Sequence, residues 1–170
     1  DFALGTDTAG SGRVPATFNG VVGIKPTLGL VPTLGVVPAC ADFDCVTVMA
    51  PSLDVATLAM SVMIGPDAAD PRSRVWPADV PLSAPSAPRV GVPIDTQLKM
   101  LSPTYRSSFA ATVQRAERSG AEVVQVDIEP LLAAARLLYD GALVAERFDA
   151  VGSFVAATPE AALDPTVAAI

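Results

Sequence analysis

A single serine, Ser11, lies in a loop of small residues and is the first candidate for chemistry in this sequence. The loop runs over residues 5–15 and reads Gly-Thr-Asp-Thr-Ala-Gly-Ser-Gly-Arg-Val-Pro. A nucleophilic hydroxyl needs such a setting, because the attacked carbonyl must reach the serine oxygen and backbone N–H groups must face the oxyanion that forms. Larger side chains at Ala9, Gly10 or Gly12 would block that approach. From composition alone, a structural glycine turn stays open as the alternative.

Two loop motifs that also combine glycine with serine do not fit. The phosphate-binding loop requires the lysine of GxxxxGK[ST], which is absent from this segment. The GxSxG motif fails because Ala9 and Arg13 stand where its glycines would be. The loop is therefore not assigned to either class.

The chain contains no histidine, which excludes a Ser-His-Asp triad, a Cys-His dyad and an imidazole metal ligand within these residues. Its 18 acidic residues against 11 basic ones, a net charge of −7, disfavour nucleic-acid binding. Cys40 and Cys45 lack zinc spacing and have no further cysteine to join. We therefore expect two free thiols, no metal and no cofactor.

No apolar run reaches the roughly 20 residues that span a bilayer, so we expect no membrane segment and a cytoplasmic protein. The chain has no initiating methionine and begins with residues typical of a strand interior. We expect it to be part of a larger protein.

Short strands are predicted on both sides of the serine loop, at residues 2–5 and 21–24, with a third at 44–49. Ser52 is predicted to cap a helix that ends before Gly65-Pro66. The apolar face of this helix is predicted to comprise Val55, Leu58, Ala59 and Val62. Residues 66–88 contain six prolines and are predicted to form an irregular surface loop.

A strand–helix–strand unit follows. Strands are predicted at residues 89–92 and 122–126, and the helix between them begins at Ser102-Pro103 and ends at Gly120. This order indicates parallel pairing in an α/β sheet. Its helix is predicted to place Tyr105, Phe109, Val113 and Ala116 on one face. Residues 131–155 are predicted to be one long helical stretch, weakened at Gly141 and Gly152.

The serine loop and the following residues 18–27 resemble the second half of the signature sequence of the amidase signature family. Residues 35–40, 43–46 and 67–74 are most similar to the allophanate hydrolase branch of that family. The resemblance is dense over residues 2–74 and thins afterwards. It implies an amidase-signature-like α/β fold, with a mixed β-sheet core covered by helices, here as an incomplete domain.

The resemblance also implies how one larger domain would be organised along this chain. Residues 1–65 would hold the serine loop with core strands and a helix, and residues 66–88 a proline-rich surface loop. Residues 89–170 would hold the βαβ unit and the helices on the substrate side.

The family hydrolyses amides with a Ser–cis-Ser–Lys triad, which suits a chain without histidine. The resemblance implies that Ser11 is the nucleophile, and that the oxyanion hole consists of the backbone amides of Thr8, Ala9, Gly10 and Ser11. Asp7 and Arg13 match the charged pair of the loop and are expected to support its architecture. The lysine and the cis-serine would lie upstream of these residues. Neither Lys25 nor Lys99 is expected to replace that lysine.

Tyr139 and Arg147 are candidates for substrate recognition. They are eight residues apart, slightly over two helical turns, so both side chains could share one helix face. A guanidinium offers a planar pair of donors to a carboxylate, and a phenol adds a neutral donor. The resemblance implies that both contact the substrate, allophanate, which carries a carboxylate beside its amide. The alternative is a tyrosine at the core edge and an arginine paired with a nearby acid.

The implied activity is hydrolysis of allophanate to N-carboxycarbamate and ammonia through a serine acyl-enzyme. A biotin-dependent urea carboxylase would supply the substrate, and the full-length protein is expected to be a homodimer. These residues alone are expected to be inactive. One alternative is a general amidase or the amidase subunit of a tRNA-dependent amidotransferase. An alternative of another class is an inactive scaffold or interaction module that has kept the loop.

Overall fold

The computed structural model describes residues 1–80, 83, 85–159 and 162–168. The chain divides into two compact units, one of Asp1–Ala78 with Leu137–Ile170 and the other of Asp79–Arg136. The organisation into segments 1–65, 66–88 and 89–170 stays a prediction. Among the described residues of 66–88 none lies in a helix or a strand, in keeping with the expected loop.

The first unit contains a three-stranded antiparallel sheet. Its strands are β1 (Ala3–Thr6), β2 (Val22–Ile24) and β3 (Val46–Ala50), in the order β1-β3-β2. Each strand lies within two residues of its predicted position. In the register, Thr6 of β1 faces Val46 of β3. The serine loop leaves β1 at this end of the sheet, beside the start of the central strand.

Two helices flank this sheet, α1 (Arg13–Phe18) and α2 (Leu53–Met63). Ser52 caps α2 as predicted, with its Oγ accepting a hydrogen bond of 3.3 Å from the Val55 amide. The predicted apolar face was wrong at two positions, since Leu58 is 67% and Val62 79% exposed. The buried face follows the spacing i, i+3, i+4 instead, and the core cluster that it joins consists of Val31, Val48, Ala50, Ala56, Ala59 and Met60.

The second unit is a strand–helix–strand element. Strands β4 (Arg89–Pro93) and β5 (Glu122–Val126) are parallel, and α3 (Pro103–Arg118) connects them, which confirms the predicted arrangement. The Ser102 side chain caps α3 by accepting from the Tyr105 amide. Tyr105 itself is 60% exposed, so the predicted helix face is half-buried only from its second turn onward.

The predicted long helix over residues 131–155 is two helices, α4 (Glu129–Asp140) and α5 (Val144–Ala157). The break falls at Gly141, where a Cβ would lie 2.8 Å from the Leu137 carbonyl oxygen. Gly152 lies inside α5 and does not interrupt it. A short helix, α6 (Pro165–Ala168), follows. In the described part of the chain, no helix combines the length and apolar character needed to cross a membrane.

The serine loop lies directly against the central strand at Gly12. A Cβ on Gly12 would lie 2.7 Å from Cγ2 and 2.9 Å from Cβ of Thr47, a fully buried residue of β3. On β2, a Cβ on Gly23 would lie 2.8 Å from Cβ of Ala16 in α1. These two close approaches set the distance of α1 and of the preceding loop from the sheet.

Replacement of Gly12 by alanine is expected to displace the loop from β3, because Thr47 is buried and has no room to retreat. Overpacking of this kind costs about 1–3 kcal/mol. The matched control is Gly65→Ala, since a Cβ there meets nothing within 4 Å. Urea unfolding followed by fluorescence should give a lower midpoint for Gly12→Ala only. Equal midpoints for the two variants would contradict this packing account.

Candidate active site

The loop that follows β1 is organised around the carboxylate of Asp7, which has no solvent exposure. Its Oδ1 accepts from the Gly10 amide at 2.6 Å, and its Oδ2 accepts from the amides of Gly12 and Arg13 at 3.3 and 3.0 Å. The Arg13 guanidinium adds two bonds, from Nε to Oδ2 at 2.8 Å and from Nη2 to Oδ1 at 3.0 Å. Five donors therefore converge on one carboxylate, and residues 8–13 are wrapped around it.

This pair also sets the ionisation of the loop. The side-chain bonds from Arg13 hold the pKa of the Asp7 carboxyl well below its usual value, and the amides of Arg13 and Gly10 act in the same direction. Burial alone would raise that pKa, so the donors outweigh the cost of desolvation. The bonds to Asp7 raise the pKa of Arg13 in return. The supporting role that the resemblance implies for Asp7 and Arg13 stays a prediction, and these bonds are consistent with it.

Ser11 lies at the exposed outer side of this loop. Its hydroxyl donates to the carbonyl oxygen of Thr6 at 3.1 Å, so the serine points back over the end of β1. The amides on both sides of it, at Gly10 and Gly12, are held by Asp7. An exposed serine on a glycine-flanked turn is sterically open to a carbonyl compound.

The four backbone amides expected to form an oxyanion hole are not equivalent. The Gly10 N–H already donates to Asp7, so it could serve an oxyanion only by sharing its hydrogen. Over the residues that the structure describes, the amides of Thr8, Ala9 and Ser11 donate to no protein acceptor. These three N–H groups are the ones available to an oxyanion.

A second buried carboxylate, Asp44, supports the loop from the other side. The Thr8 hydroxyl donates to its Oδ1. Its Oδ2 accepts from the amides of Ala39 and Cys40 at 2.8 and 3.1 Å. Asp44 is 4% exposed. The carbonyl of the next residue, Cys45, accepts a hydrogen bond of 2.9 Å from the Asp7 amide.

The Lys25 ammonium contacts a backbone carbonyl and a cysteine sulfur. It donates to the Pro26 carbonyl at 2.7 Å and lies 3.6 Å from the sulfur of Cys45. That Lys25 does not act as the base of Ser11 stays a prediction. Lys99 follows a 3-10 turn of the second unit.

The structure brings Tyr139 and Arg147 together, although not on a single helix. Tyr139 lies at the end of α4 and Arg147 in the first turn of α5, and the Arg147 Cζ lies 5.3 Å from the centre of the tyrosine ring. The Arg147 Nε donates to the Ala39 carbonyl at 3.2 Å. Within the described residues, the two terminal nitrogens of Arg147 make no hydrogen bond, and no carboxylate pairs with them.

The residue before Arg147 fastens α5 to the same segment of chain. The Glu146 carboxylate accepts from the Cys40 thiol at 3.2 Å and from the Asp42 amide at 3.3 Å. Burial, together with Glu146, raises the pKa of the Cys40 thiol to about 11, so the sulfur is protonated at neutral pH and donates. Both cysteines are free, as expected.

A cavity of about 220 Å³ lies along residues 33–44, and its lining includes Asp44 and Asp70. Ser11 and Arg147 are not among its lining residues. In the portion of the chain that the structure covers, no cluster of three or more Cys, Asp and Glu side chains is arranged to bind a metal ion.

Sequence reasoning did not assign a role to Asp44, Glu146 or Ala39. Asp44 belongs to a segment similar to the allophanate hydrolase branch, and that similarity was the only signal for it. Its bond to Thr8 spans 36 positions, and the bond from Arg147 to Ala39 spans 108. No local spacing rule reaches so far along the chain.

The chain is similar to known proteins over almost its whole length. Residues 1–166 match the family model described as Amidase. A urea amidolyase from Lachancea kluyveri is 44% identical over 99% of this chain. A glutamyl-tRNA(Gln) amidotransferase subunit from Chlorobium luteolum is 35% identical over 74% of the chain and 27% of its own length.

Among solved structures, an allophanate hydrolase from Kluyveromyces lactis superposes with a TM-score of 0.90 at 42% identity. The match covers 98% of this chain and 27% of that one. The chain spans 9% of the length of the urea amidolyase. The mixed sheets and covering helices described above are therefore those of an amidase-signature fold.

The Asp7–Arg13 pair predicts a specific pH dependence. Because the pKa of Asp7 is lower in the folded than in the unfolded chain, its stabilisation is complete above the unfolded pKa of about 4 and is lost as the pH falls further. In thermal unfolding, the melting temperature of wild type should exceed that of Asp7→Asn by a constant margin from about pH 8 to 5. Below about pH 4 this difference in melting temperature should shrink. Asp149→Asn, at an exposed position of α5, is the control. A margin that grows in acid would contradict the assignment.

Proposed function

Because the chain belongs to the amidase family, we propose that the protein containing it hydrolyses allophanate to N-carboxycarbamate and ammonia. The observation that carries the proposal is the arginine beside Tyr139, whose terminal nitrogens are unoccupied among the described residues. Allophanate differs from a simple amide by its carboxylate, which such an arginine is suited to bind. The 44% identity to a urea amidolyase over almost the whole chain supports the same substrate.

In this proposal Ser11 forms the covalent intermediate. Its Oγ attacks the terminal amide carbonyl, and the negative charge that develops on the carbonyl oxygen is stabilised by backbone N–H groups. The free amides are those of Thr8, Ala9 and Ser11, and Gly10 would contribute by sharing its bond to Asp7. Ammonia leaves with a transferred proton, and water then hydrolyses the acyl-enzyme. The resemblance assigns the proton relay to a lysine and a cis-serine outside these residues.

Substrate orientation would come from Arg147. Its Nε is held by the Ala39 carbonyl and its guanidinium lies over the Tyr139 ring, so the group is fixed before substrate arrives. The two terminal nitrogens would then receive the substrate carboxylate as a bidentate pair. The Tyr139 side chain is 64% exposed, which leaves its hydroxyl accessible as a further donor.

The second enzymatic candidate is a general amidase or the amidase subunit of an amidotransferase, which the 35% identity to a glutamyl-tRNA(Gln) amidotransferase supports. Those reactions need the serine loop but would not need the Tyr139–Arg147 pair. An inactive scaffold or interaction module is the candidate of another class. The supply of substrate by a biotin-dependent urea carboxylase, the homodimer, the cytoplasmic location and the inactivity of these residues alone stay predictions.

Replacement of Ser11 by alanine in the full-length protein is expected to abolish both allophanate turnover and covalent labelling by a fluorophosphonate probe. Ser61→Ala, at an exposed position of α2, is the matched serine control and should behave as wild type. Ammonia release and intact mass give the two readouts. A folded wild-type protein in which Ser11 is not labelled would favour the inactive scaffold instead.

Replacement of Arg147 by alanine is expected to lower kcat/KM for allophanate by about 10- to 100-fold, the scale of lost hydrogen bonds to a charged group. In the same variant, kcat/KM for biuret, in which a carboxamide replaces the carboxylate, should fall less than about threefold. Arg147→Lys should recover only part of the loss, because a single ammonium lacks the two-donor geometry. Arg118→Ala, on α3, is the control. Equal losses for the two substrates would favour the general amidase.

A further inference from the structure

Asp44 connects two parts of the molecule that the proposed reaction uses. One carboxylate oxygen accepts from the Thr8 hydroxyl, on the loop that carries Ser11. The other accepts from the amides of Ala39 and Cys40, at the start of a tight turn that returns to Asp44 through a 2.9 Å bond from its own amide to the Cys40 carbonyl. The side chain therefore closes the turn and holds the serine loop at the same time.

The same turn also binds Arg147 and the residue before it. The Ala39 carbonyl accepts from the Arg147 Nε, and the Glu146 carboxylate accepts from Cys40 and Asp42. The first turn of α5 thus makes three hydrogen bonds to residues 39–42. Asp44 therefore binds the serine loop directly, through Thr8, and reaches Arg147 through a single intervening residue, Ala39.

A buried carboxylate is suited to this task. Asp44 is 4% exposed, so its oxygens depend on the protein donors that surround them and not on bulk water. Hydrogen bonds to an ionised group are stronger than neutral ones, and losing one leaves the charge without compensation. Movement of either the loop or the turn would break such a bond, and their separation is therefore fixed.

We propose that Asp44 is a positioning residue that holds the oxyanion amides of the serine loop and the carboxylate-binding Arg147 at one fixed separation. This inference rests on the proposed function. Asp44 touches no reacting atom and acts through the Thr8 hydroxyl on one side and through the Ala39 carbonyl on the other. Its removal affects both transition-state stabilisation and recognition of the substrate carboxylate.

The two ends of this connection can be separated by substitution in the full-length protein. Thr8→Val removes only the hydroxyl that reaches Asp44, so kcat and the rate of fluorophosphonate labelling should fall about tenfold with little change in KM for allophanate. Asp44→Ala removes both ends, so kcat and labelling should fall at least as far and KM should also rise about tenfold. This split between kcat and KM would not arise from a general loss of stability.

Asp44→Asn tests whether a side-chain amide can replace the Asp44 carboxylate. Its carbonyl oxygen can still accept from the turn amides, and its NH2 group can donate to the Thr8 hydroxyl, which then accepts. It should recover most of the kcat and KM lost in Asp44→Ala. If Asp44→Ala does not fold, Thr8→Val still decides the matter, since a wild-type labelling rate in that variant would overturn the proposal.

Asp70→Ala is the matched control. Asp70 is 7% exposed and accepts from the Thr33 amide and hydroxyl and from the Arg72 amide, so it resembles Asp44 in burial and in number of donors. It lines the same cavity but makes no hydrogen bond to Thr8 or Ala39 in the described structure. Its replacement should lower the melting temperature without the combined change in kcat, KM and labelling. The same kinetic change in both alanine variants would overturn the proposal.

The failure of this inference can be distinguished from failure of the proposed function. If wild-type protein does not hydrolyse allophanate, the substrate assignment fails, while labelling of Ser11 in Asp44→Ala against wild type still tests the link to the loop. If wild type hydrolyses allophanate and Asp44→Ala matches it in kcat, KM and labelling, the substrate assignment stands and the positioning role falls.

Discussion

The bonds between the Asp7 carboxylate and its five donors are the constraint on which this site depends. A carboxylate without solvent exposure is tolerated only when its oxygens are satisfied, and here the donors come from the loop that the carboxylate itself begins. Burying the charge and ordering the loop are therefore one event. Ser11 makes no bond to Asp7, yet the amides before and after it do, and its exposed position follows from theirs.

Asp44 is a second buried carboxylate of this kind, and it joins segments that are further apart in the chain. Asp7 orders residues close to it in the chain, whereas Asp44 joins the serine loop to the turn that starts at Ala39. Glycine allows the loop to lie this close to the sheet, since a Cβ at Gly12 would collide with Thr47 on the central strand. Small residues and buried carboxylates together fix the position of the loop, as larger apolar side chains do in a conventional core. They also leave an open approach to the serine.

Most elements of this fold could be predicted because their signals are local. Ser52 and Ser102 cap helices through bonds to amides three residues away, and the glycine at 120 has a φ of +89°, which suits the end of a helix. The face of α2 could not be predicted in the same way. Leu58 is as apolar as Met60, and which of them is buried depends on where the sheet lies, a property that helical periodicity does not contain.

Within the candidate site, too, contacts between residues close in sequence were predictable and long-range contacts were not. The Asp7–Arg13 pair spans six positions and was predictable from the loop motif, whereas the bond of Arg147 to Ala39 depends on the path of the whole chain. The pairing of Tyr139 with Arg147 was predicted from a helical spacing that the break at Gly141 removes. Their side chains still meet, because α5 is fastened to the turn by Glu146 and by Arg147 itself. The contact that orients the arginine therefore comes from the turn that Asp44 closes, so the proposed carboxylate-binding group shares its support with the serine loop.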